Sequence, residues 1–492
     1  MLPYRTIIEL DRNANKPLHI QICNSLIKLV RTGSLQSGLK LPGGRKMATL
    51  LGVSRKTVIK AYEELAAQGW IEVKPNQGCF INSSLPLLNT FSSNHSTQKN
   101  AHTHFKLGTH INTKNSEFTK SNIPIIHKID DGYPDVKLAP LSELGKNYSY
   151  IMNNPQTSGL MSYTQAYYGD IRLREEIVKY LSTTRNINVS IRNILITRGS
   201  LMAFYLLSQT LFSEGDNIIV SNPGYNEGYY TLQVAKCSLI RVPVDEHGIQ
   251  VNLIEKICKE KKIRAVFIVP HHQYPTTVSL TASRRMQLLI LAKKYKFAII
   301  EDDYDYDFHY ASSPILPVAS TDSIGTVAYV GSFSKIIAPS LRVGYIVAPE
   351  NLIHAATNLS RFIDSHGNNG LERAIAMLFD SGEIRRYLKK ANKIYRKRRD
   401  HFCYLLEKEI GEHIEFDIPA GGLAVWIKFR KHILYENVTF NAAKKGLQLP
   451  SNKLFSPPNK LINAARIGFA SLREDYMVEV VGILKQSIEK SY

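Results

Sequence analysis

Long apolar runs are missing from this chain. Nowhere in its 492 residues do about eighteen apolar side chains follow one another, and no basic-then-apolar leader opens it. Neither membrane spanning nor secretion is therefore expected. Cysteine is scarce as well: Cys23, Cys79, Cys237, Cys258 and Cys403 are odd in number, scattered and without CxxC spacing. That pattern argues against a disulfide framework or a metal site and fits a cytoplasmic location. Acidic charge is the third shortage, with 42 Asp+Glu against 62 Lys+Arg for a net of +20. Such a balance points to an anionic partner, nucleic acid first, although a basic surface alone would account for it too. The imbalance is densest in residues 1–82, where twelve Lys/Arg face five Asp/Glu. The length exceeds what one compact domain holds and predicts two or three.

Three segments are expected: a module over 11–82, a flexible tether over 83–127 and a large domain over 128–492. The tether is rich in Ser, Asn, Thr and His with little apolar periodicity, and its histidines lack a zinc-like spacing. Before it, "PLHIQICNSLIKLVRTG" places Leu18, Ile22, Leu26 and Leu29/Val30 on one helix face and closes on Gly33. Next, "RKMATLLGVSRKTVIKAYEELAAQG" reads as a short helix from Arg45 to Leu51, a turn at Gly52, and a second helix capped by Ser54 and ended near Gly69. That is the grammar of a helix-turn-helix. Val58, Ala61, Tyr62 and Leu65 would face the core, which leaves Arg55, Lys56 and Lys60 outward where a recognition helix enters a major groove. "WIEVKPNQGCFI" then predicts a hairpin serving as a wing.

Beyond residue 128, strand-length apolar runs alternate with helical stretches: "ILIT", "NIIVSNP", "RAVFIVP", "FAIIEDD", "VAYVGSF" and "GYIVAP". The alternation predicts an α/β domain on a largely parallel sheet, with ligands beyond the carboxyl ends of the strands. Those ends carry chemistry. Gly199, Ser200 and Leu201 open a helix suited to a phosphate. Tyr225 ends "SNPGY", Asp302 and Tyr304 share one side of "EDDYDYDF", and Ser332, Ser334, Lys335 and Arg342 follow in "GSFSKIIAPSLRVGY". Together they describe a site for pyridoxal 5'-phosphate. A lysine amine meets the aldehyde, a carboxylate faces the pyridine nitrogen, and hydroxyls with an arginine take the phosphate. Each piece alone has an ordinary reading, such as a solvated lysine, an acidic loop or a commonplace Gly-Ser turn. Their order and spacing make coincidence improbable.

The first segment resembles the GntR-type winged helix through "PLHIQI", "LPGGR", "MATLLGVSRKTVIKAYEEL" and "GWIEVKPNQGCFI". That resemblance implies DNA contacts from Arg45, Ser54, Arg55, Thr57 and Gly78; "LPGGR" departs from it by lacking two serines. The large segment resembles fold type I aminotransferases, and the pair resembles the MocR-type (GabR-like) regulators, in "IDDGYPDVKLAP", "VPHHQYPTT", "EDDYDYDFHY", "GSFSKIIAPSLRVGY" and "INAARIGFA". The resemblance implies that Lys335 forms the Schiff base, Asp302 partners the pyridine nitrogen, Tyr304 donates to the phenolic oxygen and Tyr225 stacks on the ring. Ser200, Leu201 through its backbone, Ser332, Ser334 and Arg342 would hold the phosphate, and Arg466 would bind an effector's α-carboxylate. Tyr163 corresponds to a tyrosine that reaches a neighbour's phosphate, one residue further from Gly169 than usual. Tyr274 stands where active enzymes carry asparagine, Thr277 where they carry glycine, and Glu227 where some relatives place a second effector arginine.

Three functions are compatible with these residues. The first is a homodimeric, head-to-tail regulator that reads repeated half-sites in double-stranded DNA and senses a small amine, an amino acid or pyridoxal phosphate itself by aldimine exchange at Lys335. The second is an active aminotransferase with an accessory DNA-binding domain. The third is a DNA-binding protein on an inert dimerisation scaffold, against which the full set of cofactor-type residues speaks. The basic stretch 385–402, "RRYLKKANKIYRKRRDHF", is expected to be a solvated helix face rather than a DNA contact.

Overall fold

Residues 3–85, 125–162, 166–310, 315–458 and 460–491 are described in a computed structural model of the chain. It divides into two units, Met1–Gly108 and Thr109–Tyr492. In the first unit α1 (Tyr4–Ile7), α2 (Leu18–Arg31), α3 (Gly44–Leu51) and α4 (Arg55–Ala67) precede an antiparallel hairpin of β1 (Ile71–Lys74) and β2 (Gly78–Ile81). Ile22, Cys23 and Leu26 of α2 are buried against Val58, Ala61, Tyr62 and Leu65 of α4, as the helical spacing predicts. Gly52 turns the chain between α3 and α4 at φ +64°, a backbone that glycine adopts without a Cβ penalty. The Ser54 hydroxyl accepts the Thr57 amide at 3.1 Å and caps α4. Gly43, by contrast, starts α3 with no side-chain cap, the consequence of "LPGGR". Tyr4 and Ile8, upstream of residue 11, are each 3 % exposed in this same core.

Most of the expected tether, residues 86–124, lies outside the described residues, as does Tyr163. At the tether's far end β3 (His127–Lys128) already forms sheet structure. The second unit is built on β4 (Ile194–Thr197), β5 (Asn217–Asn222), β6 (Ser238–Asp245), β7 (Gly248–Ile249), β8 (Ile263–Ile268), β9 (Ala298–Asp303), β10 (Val327–Ser332) and β11 (Gly344–Val347). Among the described residues they form one sheet in the order β4-β11-β10-β9-β8-β5-β6-β7. Pairs from β10 through β6 are parallel, and β11 runs antiparallel between β10 and β4. Side chains alternate across it. Ile218, Phe267 and Ile300 pack with Phe204 and Leu207 of the helix Ser200–Leu211, whereas Ile219, Val266 and Ile299 pack with Ile254, Leu288 and Leu291 on the opposite face. Helices on both faces explain why these strands read as continuous apolar runs.

A second, antiparallel sheet joins β12 (Ile414–Phe416), β13 (Ala424–Phe429) and β15 (Ala464–Gly468), and β14 (Leu447–Gln448) pairs with β3. The helix Glu383–Ile410 is more than a solvated face: Lys389, Lys390 and Lys397 are exposed, but Tyr387, Tyr395 and Arg399 are buried. Arg398 pairs with Asp135 at 2.9 Å, and the Tyr395 hydroxyl accepts the Asp135 amide at 2.9 Å. The basic residues of this stretch thus split between solvent and the unit's own packing.

Leu65 is fully buried in the core of the first unit. Leu65→Ala is expected to destabilise that unit by about 3 kcal/mol. Hydrogen-exchange mass spectrometry of the full chain checks this: peptides from residues 3–85 should lose protection while those of β8 to β10 keep theirs.

Candidate functional site

The carboxyl ends of the parallel strands meet at one edge of the large sheet. β9 ends at Asp303 with Tyr304 next, β10 ends at Ser332 with Ser334 and Lys335 beyond, and β5 ends at Asn222 just before Tyr225. Antiparallel β11 begins where its neighbours stop: Gly344 is in register with both Ser332 and Thr197. Arg342, two residues earlier, therefore falls at the same edge, in the left-handed region at φ +52°. A cavity of about 280 Å³ opens there. Ser200, Leu201, Tyr225, Asp302, Tyr304, Ser332, Ser334, Lys335, Arg342 and Arg466 all line it. Asp131, Gly132, Tyr133 and Leu454 line it too and escaped residue-by-residue prediction. For the first three the one signal was that "IDDGYPDVKLAP" opens the large domain; Leu454 had none.

The acidic run from Glu301 to Asp307 is sorted by partners. Glu301 accepts the Val318 and Ala319 amides at 2.8 Å each, and burial pushes its pKa up to about 7. Arg185 donates through Nε to Asp303 at 3.1 Å and through Nη2 to Asp307 at 2.8 Å. His272 Nδ1 lies 2.9 Å from Asp305. Asp303 and Asp305 each leave one oxygen unpaired, but Asp302 differs: it is 4 % exposed, and among the described residues neither of its oxygens is in a hydrogen bond. Burial first, then Asp303 and Asp305, push its pKa well above the ordinary carboxyl value, with Lys335 opposing. A buried carboxylate without a partner suits a ligand that brings a cationic N–H.

Lys335 Nζ donates to Gly132 O at 3.0 Å and lies 4.5 Å from the centroid of the Tyr133 ring. Burial lowers its pKa from the ordinary 10.5, against Asp131 and with help from Arg466. A lysine with a lowered pKa is a better nucleophile toward an aldehyde near neutral pH. The same edge holds a narrow cradle. A Cβ on Gly199 would come within 2.8 Å of the Arg342 guanidinium, and Gly199 starts the helix Ser200–Leu211 without a side-chain cap, leaving amides for an anion. Amine, unpartnered carboxylate and anion cradle together fit pyridoxal phosphate. No cluster of three or more His, Cys, Asp or Glu able to hold a metal occurs among the described residues.

Tyr225 and Tyr274 meet edge to face, with centroids 5.4 Å apart. The Tyr274 hydroxyl donates to Asp131 at 2.8 Å, and that of Tyr304 donates to His272 O at 2.7 Å. Arg466, 1 % exposed, donates to Asp131 O at 2.8 Å, Pro275 O at 3.1 Å and the Tyr304 hydroxyl at 3.1 Å. Three of its five N–H groups are so engaged, and one remains on each terminal nitrogen. Thr277, in place of glycine, sits at φ +61°, a conformation strained for a β-branched residue.

The first unit presents a separate surface. Arg45, Ser54, Arg55, Lys56 and Lys60 are exposed, and Thr57 is partly so. Ile59, 38 % exposed on the same helix, is an apolar neighbour that charge-based reading passed over. On the hairpin, Gly78 takes φ +109°, and Lys40 and Lys74 flank the Phe80 ring at 5.6 and 5.2 Å. A basic helix and a basic hairpin are the features expected of a DNA-facing surface.

Comparison with known proteins identifies both parts. The family pattern "Aminotransferase class I and II" matches residues 153–482, and that of "Bacterial regulatory proteins, gntR family" matches 18–81. An uncharacterized HTH-type transcriptional regulator of Bacillus subtilis, YdeL, is 28 % identical over 480 residues, covering 97 % of this chain and 98 % of that one. The probable rhizopine catabolism regulatory protein MocR of Rhizobium meliloti is 27 % identical, covering 98 % and 96 %. Among solved structures, a kynurenine aminotransferase of Pyrococcus horikoshii superposes with a TM-score of 0.69 at 27 % identity, over 75 % of this chain and 92 % of that one. The large unit thus has the fold type I architecture that the sequence predicts.

Asp302 makes a testable demand on stability. Its folded pKa is raised above the ordinary 3.8, so the native state holds a proton that the unfolded chain has released above that pH. Stability contributed by this group therefore falls as pH rises from 3.8 toward the folded value. In urea unfolding of the ligand-free protein at pH 7, Asp302→Asn is expected to be more stable than the parent by about 1 kcal/mol, with the difference vanishing near pH 3.

Proposed function

We propose that this chain, which belongs to the aminotransferase class I and II family and carries a GntR-type domain in front as the MocR-type regulators do, is a transcriptional regulator. Its large domain holds pyridoxal phosphate and senses a small amine, an amino acid or the cofactor itself. The observation that carries this reading is the convergence of Lys335, the unpartnered Asp302 and the Gly199–Arg342 cradle on one cavity. Pyridoxal phosphate supplies an aldehyde that condenses with a primary amine, so an effector amine can replace that of Lys335.

In this reading Asp302 keeps a proton on the pyridine nitrogen. Ser200, Leu201, Ser332, Ser334 and Arg342 hold the phosphate, and Tyr225 covers the ring. Tyr304, whose hydroxyl proton is directed at His272 O, turns toward a ligand oxygen when one arrives. Once freed, the Lys335 amine would regain the hydrogen bond to Gly132 O that it makes as a free amine in this structure. That local change biases an open-closed equilibrium and, through the tether, the paired DNA-binding units. Arg45, Ser54, Arg55, Lys56, Thr57, Lys60 and Gly78 meet an operator of repeated half-sites. Tyr150, Met152 and Phe362, the last 89 % exposed, are apolar surface of the kind a second copy would cover. A working aminotransferase is the second reading, favoured by the likeness to the Pyrococcus enzyme. The engagement of Tyr274 with Asp131, where active enzymes carry asparagine, weighs against it.

The visible spectrum of the purified protein, followed during titration with amines, tests the choice. A shift that persists without keto acid supports sensing, whereas bleaching with keto acid released supports turnover. Lys335→Ala is expected to lose the spectral and effector response while binding operator DNA as before. Arg55→Ala should weaken operator binding about tenfold or more in a mobility-shift titration, consistent with loss of a base-reading arginine. A normal effector response from Lys335→Ala would sink the mechanism.

A further inference from the structure

Six charged side chains line the cavity: Lys335, Arg342 and Arg466 against Asp131, Glu227 and Asp302. On the proposed reading, the cofactor engages three of them. Its phosphate takes Arg342, its ring nitrogen takes Asp302, and its aldehyde takes Lys335. Left for the effector are one guanidinium and two carboxylates, a net charge of −1.

Where those groups sit matters as much as their number. Arg466 Nε is bound to the Asp131 carbonyl, so the arginine and the Asp131 carboxylate belong to one stretch of wall. The Tyr274 hydroxyl fixes the Asp131 side chain through Oδ2 at 2.8 Å. Glu227 stands in the first turn of the helix Asn226–Gln233, exposed to solvent, with the Tyr225 hydroxyl 3.4 Å away. Both acids act on the same phenols: burial raises the pKa of Tyr133 and of Tyr225, and Asp131 and Glu227 each add to it. The Tyr133 face, 4.5 Å from Lys335 Nζ, already attracts a cation. Aromatic faces beside carboxylates form a cage for an ammonium group.

We infer that the pocket selects an amine effector carrying a second, distal ammonium group, held by Asp131, Glu227 and the Tyr133 face. One amine would take the place of the Lys335 amine on the cofactor, freeing that amine with no net loss of water, and the other would stay charged in the acidic mouth. An α-carboxylate, if present, uses the remaining Arg466 N–H groups. An effector with a distal carboxylate meets Glu227 and Asp131 and is repelled. This inference rests on the amine-sensing reading, and its test separates the two.

The full-length protein loaded with pyridoxal phosphate is titrated by visible absorption with lysine, norleucine, 2-aminoadipate and cadaverine. Lysine or cadaverine is expected to saturate at a concentration about tenfold below norleucine, with 2-aminoadipate weakest. Lysine ahead of cadaverine assigns a diamino acid that engages Arg466; the reverse order assigns a diamine. Glu227→Gln, at an exposed position that tolerates change, and Asp131→Asn should each narrow the gap between lysine and norleucine. If norleucine or 2-aminoadipate binds as tightly as both cations, or the gap survives both substitutions, the charge inference is overturned while sensing stands. If no probe shifts the spectrum of the loaded protein, the sensing reading falls and takes the inference with it.

Discussion

Gly344 lies in register between Ser332 and Thr197, and most of the site's geometry depends on that three-strand seam. Because β11 runs against β10 and β4, its start coincides with their ends, and the loop entering it returns Arg342 to the edge where Lys335 and Ser200 already stand. The seam has no room for side chains: a Cβ on Gly344 would meet Gly331 O at 2.9 Å and the Gly199 backbone at 3.0 Å. A glycine in the middle of a sheet costs entropy and packing. Here it lets three backbones approach closely enough to bring cation and helix start together.

The second organising feature is electrostatic. Five acids lie within seven residues of β9 and its exit, a density that would be unstable if all were charged and buried without partners. Arg185 pairs with Asp303 and Asp307, which also accept the Tyr329 and Tyr180 hydroxyls; His272 faces Asp305, and backbone amides hold Glu301. Asp302 remains, lining the cavity without a hydrogen-bond partner among the described residues. Strain and unsatisfied groups gather at functional sites because a ligand, rather than the fold, completes them. Thr277 at φ +61° is a second such cost near the same pocket, where glycine would sit without strain.

The first unit was legible almost residue by residue. Its helices are amphipathic, its turn uses glycine and its recognition helix is capped by Ser54, so each local preference agrees with the packing. The contribution of Tyr4 and Ile8 escaped, because a four-residue helix leaves no periodic trace. In the large unit the buried parallel strands announced themselves as apolar runs. Strands β6 and β7 and the second sheet did not. They are short, or mix exposed and polar residues, so Arg466 on β15 was placed by motif resemblance and not by periodicity.

Sequence alone determined the helix-turn-helix, the α/β alternation and the residue types at the strand ends, because these depend on local spacing and on side-chain chemistry. It also determined that a lysine, a carboxylate and an arginine stood in an order suited to a phosphorylated aldehyde. Tertiary structure decided which acids were spent on the fold and which was left open. Asp302 and Asp303 are neighbours of one residue type, and no local signal separates them. Their difference arises because alternate side chains of β9 face opposite sides of the sheet, one toward Arg185 and the other toward the cavity. Long-range contact likewise brought Asp131 and Tyr133 into the pocket, a pairing across more than three hundred residues from Arg466 that no sequence period encodes.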